Sequence, residues 1–443
     1  MTDAKASLTW RFPTAFWTGN VVELFERAAY YGTFIALALY LTDVVGFSDV
    51  QAGWIGAVFS SSIYLLPFLT GAASDRLGFR RSLMLAFALL AAGYAGLGLF
   101  PAKAAVPVTL ALVAVGGAFV KPVITGTVAR SSNAASRARA FSLFYMMVNI
   151  GSFTGKTVAK PVRTALGLEY VPLYSAGAAL AALLVVAFFF WPKEGGEEQP
   201  RSARDSLAGL VTVLKNGRFL SLLLITAGFW AIQGQLYASM PKYVLRLVGP
   251  GASPEWYANV NPFVVVLCVV PVTHLVRRLS PVTSIGIALA MIPVSALIMS
   301  LSGGMTGQIT VLGAALHPVT VLMVLGIALQ GFAECFLSPR YLEFASKQAP
   351  PGQEGLYMGY SHLHTFFAWL VGFILSGYLL DAFCPDPKKL AAQGITGEAF
   401  TAAYAHAHYI WYVFAGIGAA AFAALVLFAL VTRGADARHE ARG

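Results

Sequence analysis

Residues 20–32 read NVVELFERAAYYG and lie inside a long apolar run. Glu23, Glu26, Arg27, Tyr30 and Phe34 follow one another at i, i+3, i+4, i+7 and i+11, which places them on one face of a helix. An ionised side chain at the centre of a bilayer costs about 2.5–3.5 kcal/mol on the insertion scale. Three such groups must therefore face a cavity or a helix-bundle interior and pair there. Two carboxylates side by side favour holding a proton, and a cation beside them favours releasing it. The face reads as a protonation site that an approaching charge can switch. An internal ion pair that only staples helices meets the same burial constraint. Lys121, in GGAFVKPVITG (116–126), is the expected counter-charge for Glu23 or Glu26, and Pro122 after it predicts a kink.

A second set lies near the other end of the chain. Glu334, in GFAECFLSPRYLEFASKQAP (331–350), has no obvious local partner and is the candidate for holding a proton or a substrate amine. Arg340 and Glu343 stand three apart and are expected to pair with each other. Lys156, Lys160 and Arg163 share a face at i, i+4 and i+7, either as a cationic wall or as a helix end reaching head groups, with Lys156 the deepest. His362/His364 and His406/His408 are spaced i, i+2 and point to different helix faces, so no metal site is expected from them. No HExxH, GxSxG or P-loop pattern occurs. The chain is therefore read as a non-enzyme without cofactor, and uphill work would draw on a proton gradient.

The elements that must position these groups are membrane helices. The chain of 443 residues is 58% hydrophobic and 11% charged, with a mean hydropathy of +0.70; soluble domains carry roughly 25% charged residues. Three scattered cysteines suggest no disulfide framework. Twelve apolar runs are long enough to span, at about 14–43, 50–74, 80–100, 106–130, 138–160, 172–192, 219–247, 257–277, 282–301, 317–347, 355–383 and 405–432. The first is not preceded by a cleavage signal and is expected to stay as an anchor. The polar stretch 193–217 is read as a cytoplasmic linker with a short amphipathic piece. It separates an N-terminal six-helix bundle, 1–192, from a C-terminal one, 218–443.

With both termini in the cytoplasm, most of the 30 Lys and Arg residues fall on that side. The net charge of +10 is read as these basic loops rather than as a nucleic-acid surface. SDRLGFRRS (74–82) and HLVRRLSPV (274–282) are short basic loops at matching places in the two halves, and related halves are common in transporters. Gly151 and Gly155 form a GxxxG pattern, which predicts close helix packing.

Taken in order, the motifs resemble the major facilitator superfamily and, within it, the proton-coupled oligopeptide transporters. ELFERAAYYG (23–32) is similar to that family's ExxER motif in span one, GAASDRLGFRR (71–81) to the superfamily loop motif, and VKPV (120–123) to the span-four Lys-Pro. FWAIQGQ (229–235), NPFVVVLCVVP (261–271) and AECFLSPRYLEFASKQAP (333–350) resemble segments of spans seven, eight and ten. The resemblance implies an all-α fold of 12 transmembrane helices in two six-helix bundles. It implies alternating access to a midplane site between them, and a monomer in a bacterial inner membrane. It implies a proton-coupling set of Glu23, Glu26, Arg27 and Lys121. Tyr30, Tyr31, Phe34, Lys121, Asn149 and Lys156 would serve the substrate from the first half, and Trp230, Gln233, Asn261, Glu334, Ser338 and His362 from the second. Asp75, Arg76 and Arg80 would form a gating loop. The implied cargo is small peptides or peptide-like amphoteric compounds, with protons as the coupled ion; an organic anion or drug-like molecule is the alternative.

Four positions depart from the family pattern. The motif arginine is followed by Ala28 where the family has phenylalanine. Phe34 stands where it has an arginine, Gly234 where it has a glutamate, and Ser361 where it has a tryptophan. The missing arginine and glutamate would have formed a salt bridge, so neither loss strands a buried charge.

Overall fold

The computed structural model describes residues 12–133, 136–192, 203–311, 313–347, 357 and 359–440; the first ten residues of the expected linker lie outside them. Among the described residues, nine helices are long and apolar enough to cross a membrane, and a bent pair makes a tenth. Helices Thr14–Leu39 (α1) and Arg137–Ala165 (α6) are long enough too, but they carry the charges that the sequence singles out.

Span 1 is α1 continued by a single π turn, Tyr40–Val44, closed by a bond of 3.1 Å from the Val45 N–H to the Tyr40 carbonyl. Span 2 is broken. Asp49–Leu65 (α2) and Pro67–Leu77 (α3) meet at 47°, with Pro67 at the start of the second piece. Gly78, at φ +84°, turns the chain into Phe79–Leu99 (α4). Ala105–Arg130 (α5), α6 and Tyr170–Phe189 (α7) complete the first six spans.

An amphipathic helix Ala203–Lys215 (α8) leads to Gly217–Gln233 (α9), capped by the Asn216 side chain, which accepts from the Phe219 N–H at 3.1 Å. Gln235–Ala238 (α10) and Met240–Val248 (α11) extend span 7. Pro254–Tyr257 (α12) and Val260–Leu275 (α13) form span 8, and Pro281–Ser300 (α14) forms span 9. A hairpin of Ile309–Val311 (β1) and Ala314–Leu316 (β2), paired antiparallel, precedes span 10, Pro318–Lys347 (α15). Leu363–Phe383 (α16) is span 11. Two short helices, Pro387–Ala392 (α17) and Gly397–Ala402 (α18), lead to span 12, Tyr409–Glu440 (α19).

The chain forms two compact units. One holds residues 1–47 and 62–208, the other 48–61 and 209–443. A piece of span 2 thus belongs with the second unit, although its flanks belong with the first. Within the first unit, span 1 packs on spans 5 and 6, span 3 on spans 4 and 6, and span 2 on span 4. Within the second, span 7 packs on spans 11 and 12, span 9 on spans 10 and 12, and span 8 on span 10. Adding six to each number of the first set gives the second, so the weak echo between the two basic loops reflects one packing plan used twice.

Two local contacts fix the first unit. Pro122 has no N–H to give to the Ala118 carbonyl one turn back. Thr70 on α3 supplies the missing donor, 2.7 Å from that oxygen. Gly151 and Gly155 let α6 lie directly on α1. A Cβ at Gly151 would stand 2.5 Å from the Leu24 carbonyl oxygen, and one at Gly155 2.2 Å from that of Ala28. The GxxxG face therefore ends against the residue next to Arg27.

Candidate proton and substrate site

In the first unit, the helical face starting at Glu23 is buried. Glu23 and Glu26 are each 2% exposed. Arg27 Nε lies 3.3 Å from Glu23 Oε1 and donates a closer bond to Glu26 Oε2. One guanidinium nitrogen thus serves two carboxylates, while Glu23 Oε2 is buried with no hydrogen-bond partner among the described residues. The Arg27 guanidinium also stands 5.4 Å from the ring centre of Tyr30 and 5.9 Å from that of Tyr31, within cation–π range. Tyr30 is buried, and its hydroxyl has no partner among the described residues. Its ring stacks on Phe34 at 5.1 Å, so the position where the family carries an arginine is filled by a wholly buried aromatic.

Lys121 is placed differently from expectation. Its side chain is exposed and makes no ion pair within 4 Å among the described residues, though it stays within electrostatic range of Glu23 and Glu26. The direct counter-charge is Arg27. Its spacing of one and four residues from the acids puts it within reach on the same helix. Lys156 is the deep cation of span 5, 1% exposed with its ammonium 5.6 Å from the Tyr31 ring centre, while Lys160 and Arg163 are half-buried. Asn149 is half-buried and its side-chain amide donates to the Tyr145 carbonyl at 2.8 Å.

In the second unit, Glu334 gathers donors from two other spans. It accepts from Gln233 Nε2 at 2.5 Å and from Asn261 Nδ2 at 3.4 Å. Gln233 Oε1 and the Trp230 indole N–H, one turn apart on α9, have no partner among the described residues. Trp230 packs against His364 with ring centres 5.4 Å apart, and Tyr341 meets the same imidazole at 4.7 Å. His364 is buried, with Nδ1 2.6 Å from the Ser361 carbonyl oxygen. His362, the histidine singled out from the sequence, caps α16 with its side chain exposed. Ser338 is half-buried one turn beyond Glu334. A Cβ on Gly234 would lie 3.1 Å from the Trp230 carbonyl oxygen and 3.3 Å from the Trp369 indole. A glutamate there would have to displace that ring.

Arg340 and Glu343 pair at 2.7 Å, and Arg340 also donates to the Val276 carbonyl, which ties span 10 to the end of span 8. The stretch 74–82, expected as a loop, is helical on both sides of Gly78, and Asp75 and Arg76 at the end of α3 are exposed. Arg80 donates to the Ala187 carbonyl at 2.8 Å and lies 3.8 Å from the ring centre of Trp191. A further buried charge cluster, Asp49 with Lys242 and Arg246, was not anticipated. Lys242 Nζ is 2.7 Å from Asp49 Oδ1, and Arg246 holds both oxygens at 3.0 Å. Its one signal in the sequence was two cations four residues apart within a span.

A family model described as Major Facilitator Superfamily matches residues 21–311. The chain belongs to the Major Facilitator Superfamily. This superfamily member is 30% identical over 241 residues to dipeptide and tripeptide permease B of Shigella dysenteriae, covering 53% of this chain and 48% of that protein. It thus matches about half the length of that permease. It is 25% identical over 377 residues to multidrug resistance protein MdtH of Aeromonas hydrophila, covering 80% of this chain and 89% of that protein. In fold it resembles a POT family transporter solved in complex with 5-aminolevulinic acid, with TM-score 0.71 at 17% identity, covering 95% of this chain and 96% of that one.

Proposed function

We propose that this superfamily member is a proton-coupled symporter of small peptides or peptide-like amphoteric compounds. It works by alternating access, with the substrate taken at mid-membrane between its two halves. The observation that carries the reading is the shared guanidinium of the first unit: two buried carboxylates, one arginine, and one carboxylate oxygen without a partner among the described residues. Among the described residues, Arg27 is the one cation in contact with the two carboxylates, with Lys121 acting only at longer range. A buried carboxylate without a contacting cation needs a neutralising charge, of which a proton is the smallest. Likeness to a dipeptide and tripeptide permease and to a POT family fold supports the substrate class. The bias of basic residues toward one set of loops supports an inner-membrane protein with both termini in the cytoplasm.

The test is uptake of labelled di-alanine into proteoliposomes under an inward proton gradient. Uptake abolished by a protonophore is expected. No uptake by folded protein overturns the peptide assignment. Glu334, with amide donors on one side, is the group to meet a substrate amine. Glu334→Gln is expected to weaken competition by amine-bearing substrates about tenfold or more, the loss of one charge-assisted hydrogen bond. Equal inhibition constants in variant and wild type would count against that role.

A second reading keeps the proton and changes the cargo to an organic anion or drug-like molecule. Phe34 and Gly234 favour it, because they stand where a charge pair that would anchor a peptide carboxylate is missing, and so does the likeness to MdtH. Competition between alanyl peptides and organic acids separates the two.

A further inference from the structure

We propose that Asn20 is the acceptor that holds the coupling proton on Glu23, and so decides which of the two acids carries it. The inference rests on the proton-coupled reading above. Asn20 lies one turn before Glu23 on α1 and is 1% exposed. Its side-chain nitrogen donates to the Phe16 carbonyl at 2.8 Å. A carbonyl oxygen accepts only from a donor, so this bond fixes the orientation of the amide and leaves Oδ1 on its other side. Asn20 Oδ1 is buried with no hydrogen-bond partner among the described residues, and the same holds for Glu23 Oε2. Next to Asn20, Gly19 packs against Phe190, Ile124 and Thr127, and the Thr127 hydroxyl already donates to the Val123 carbonyl at 2.8 Å.

Buried polar atoms without partners are rare, and here two occur three residues apart on one helix face. Both are acceptors, so neither satisfies the other. Side chains at i and i+3 are neighbours, and helical side chains lean toward the N-terminus, so the Glu23 carboxyl reaches back over Asn20. A proton on Glu23 Oε2 answers both oxygens at once, because the acid O–H donates to Asn20 Oδ1. Arg27 points to the same choice of acid. Its Nε gives the closer bond to Glu26 and stands 3.3 Å from Glu23 Oε1. The closer pair keeps its charges, and Glu23 takes the proton. From the packed helices, span 4 acts on Glu23 through Lys121 at longer range. Span 5 brings Lys156 to Tyr31, and span 6 brings Tyr174 to Gly32, both two turns or more further along α1.

The experiment is an infrared pH titration of the purified full-length protein in detergent, following the C=O band of protonated carboxyls. The difference between wild type and Glu23→Gln is expected to isolate one band. In Asn20→Leu, which keeps the shape of the amide and removes the acceptor, that band is expected to change frequency. Its midpoint is expected to fall by about one pH unit, a tenfold loss of proton affinity. The Phe16 carbonyl keeps its helix bond from the backbone N–H of residue 20 in this variant. If Asn20→Leu does not fold, Asn20→Ala serves, since it removes the same oxygen. The absence of a band that depends on Glu23, or one left at the same frequency and midpoint by the Asn20 variant, overturns the proposal. The readout needs neither substrate nor gradient. Protein that shows the band but takes up no di-alanine loses the peptide assignment and keeps the role of Asn20. Protein that accumulates di-alanine without the band keeps symport and loses that role.

Discussion

Glu26→Gln is expected to hold substrate at no more than its outside concentration under a proton gradient that drives the wild-type protein to accumulate it. One pH unit is worth about 1.4 kcal/mol per proton, so a one-to-one symporter accumulates its cargo about tenfold for each unit imposed. The variant keeps the shape of the side chain and removes its charge. Arg27 then retains only Glu23, at 3.3 Å, and the carboxylate excess is gone. The cluster becomes one acid and one base, a neutral pair that has no need of a proton. Binding and exchange need not fail with it. Counterflow of unlabelled against labelled substrate is expected to persist at a measurable rate while the accumulation ratio falls to about one. Retained accumulation driven by pH would remove Glu26 from the coupling step.

The second large effect is structural. Gly155→Ala is expected to destabilise the protein by about 3 kcal/mol or more, at the upper end of what overpacking costs. The obstruction is the Ala28 carbonyl at 2.2 Å, a backbone atom that cannot rotate away. To make room, α1 and α6 must separate, and Arg27 moves with Ala28. Gly117, also in the first unit, has nothing within 4 Å of where a methyl group would stand and supplies the control. Thermal unfolding in detergent should show a large drop for Gly155→Ala and a small shift for Gly117→Ala. Equal shifts would mean that the two helices tolerate separation.

What the sequence revealed depended on how far apart the interacting residues lie along it. Spans were legible because twenty apolar residues in a row are a local property, and among the described residues nine helices pass that test, or ten with the bent pair of span 2 counted as one. Glu23, Glu26 and Arg27 were legible as a cluster because helical geometry alone puts them together. Gly151 and Gly155 announced a close contact but not its partner. Lys121 shows the limit of matching charges by sign: it stood as the natural mate of the acids, yet a neighbour on their own helix reaches them first. The Asp49 cluster shows the same limit more strongly, since Lys242 lies 193 positions away. Its acid looks like an ordinary residue at the mouth of a span, and its cations look like side chains reaching for head groups. The histidine chosen from the 362/364 pair was the exposed one, because a spacing of two says that they diverge without saying which turns inward. Of the departures from the family pattern, Phe34 and Gly234 make sense only with coordinates: one is stacked under Tyr30, the other closed over by Trp369.

The π turn at Tyr40–Val44 is the last turn of the first span. Such a turn holds one residue more than the α-helix needs, and each residue advances an α-helix by about 100°. The chain therefore leaves the helix at Val45 turned by about that angle from where an α turn would send it. The turn acts as a register shim. It sets the direction in which the chain leaves toward Asp49 independently of the stripe of side chains behind it.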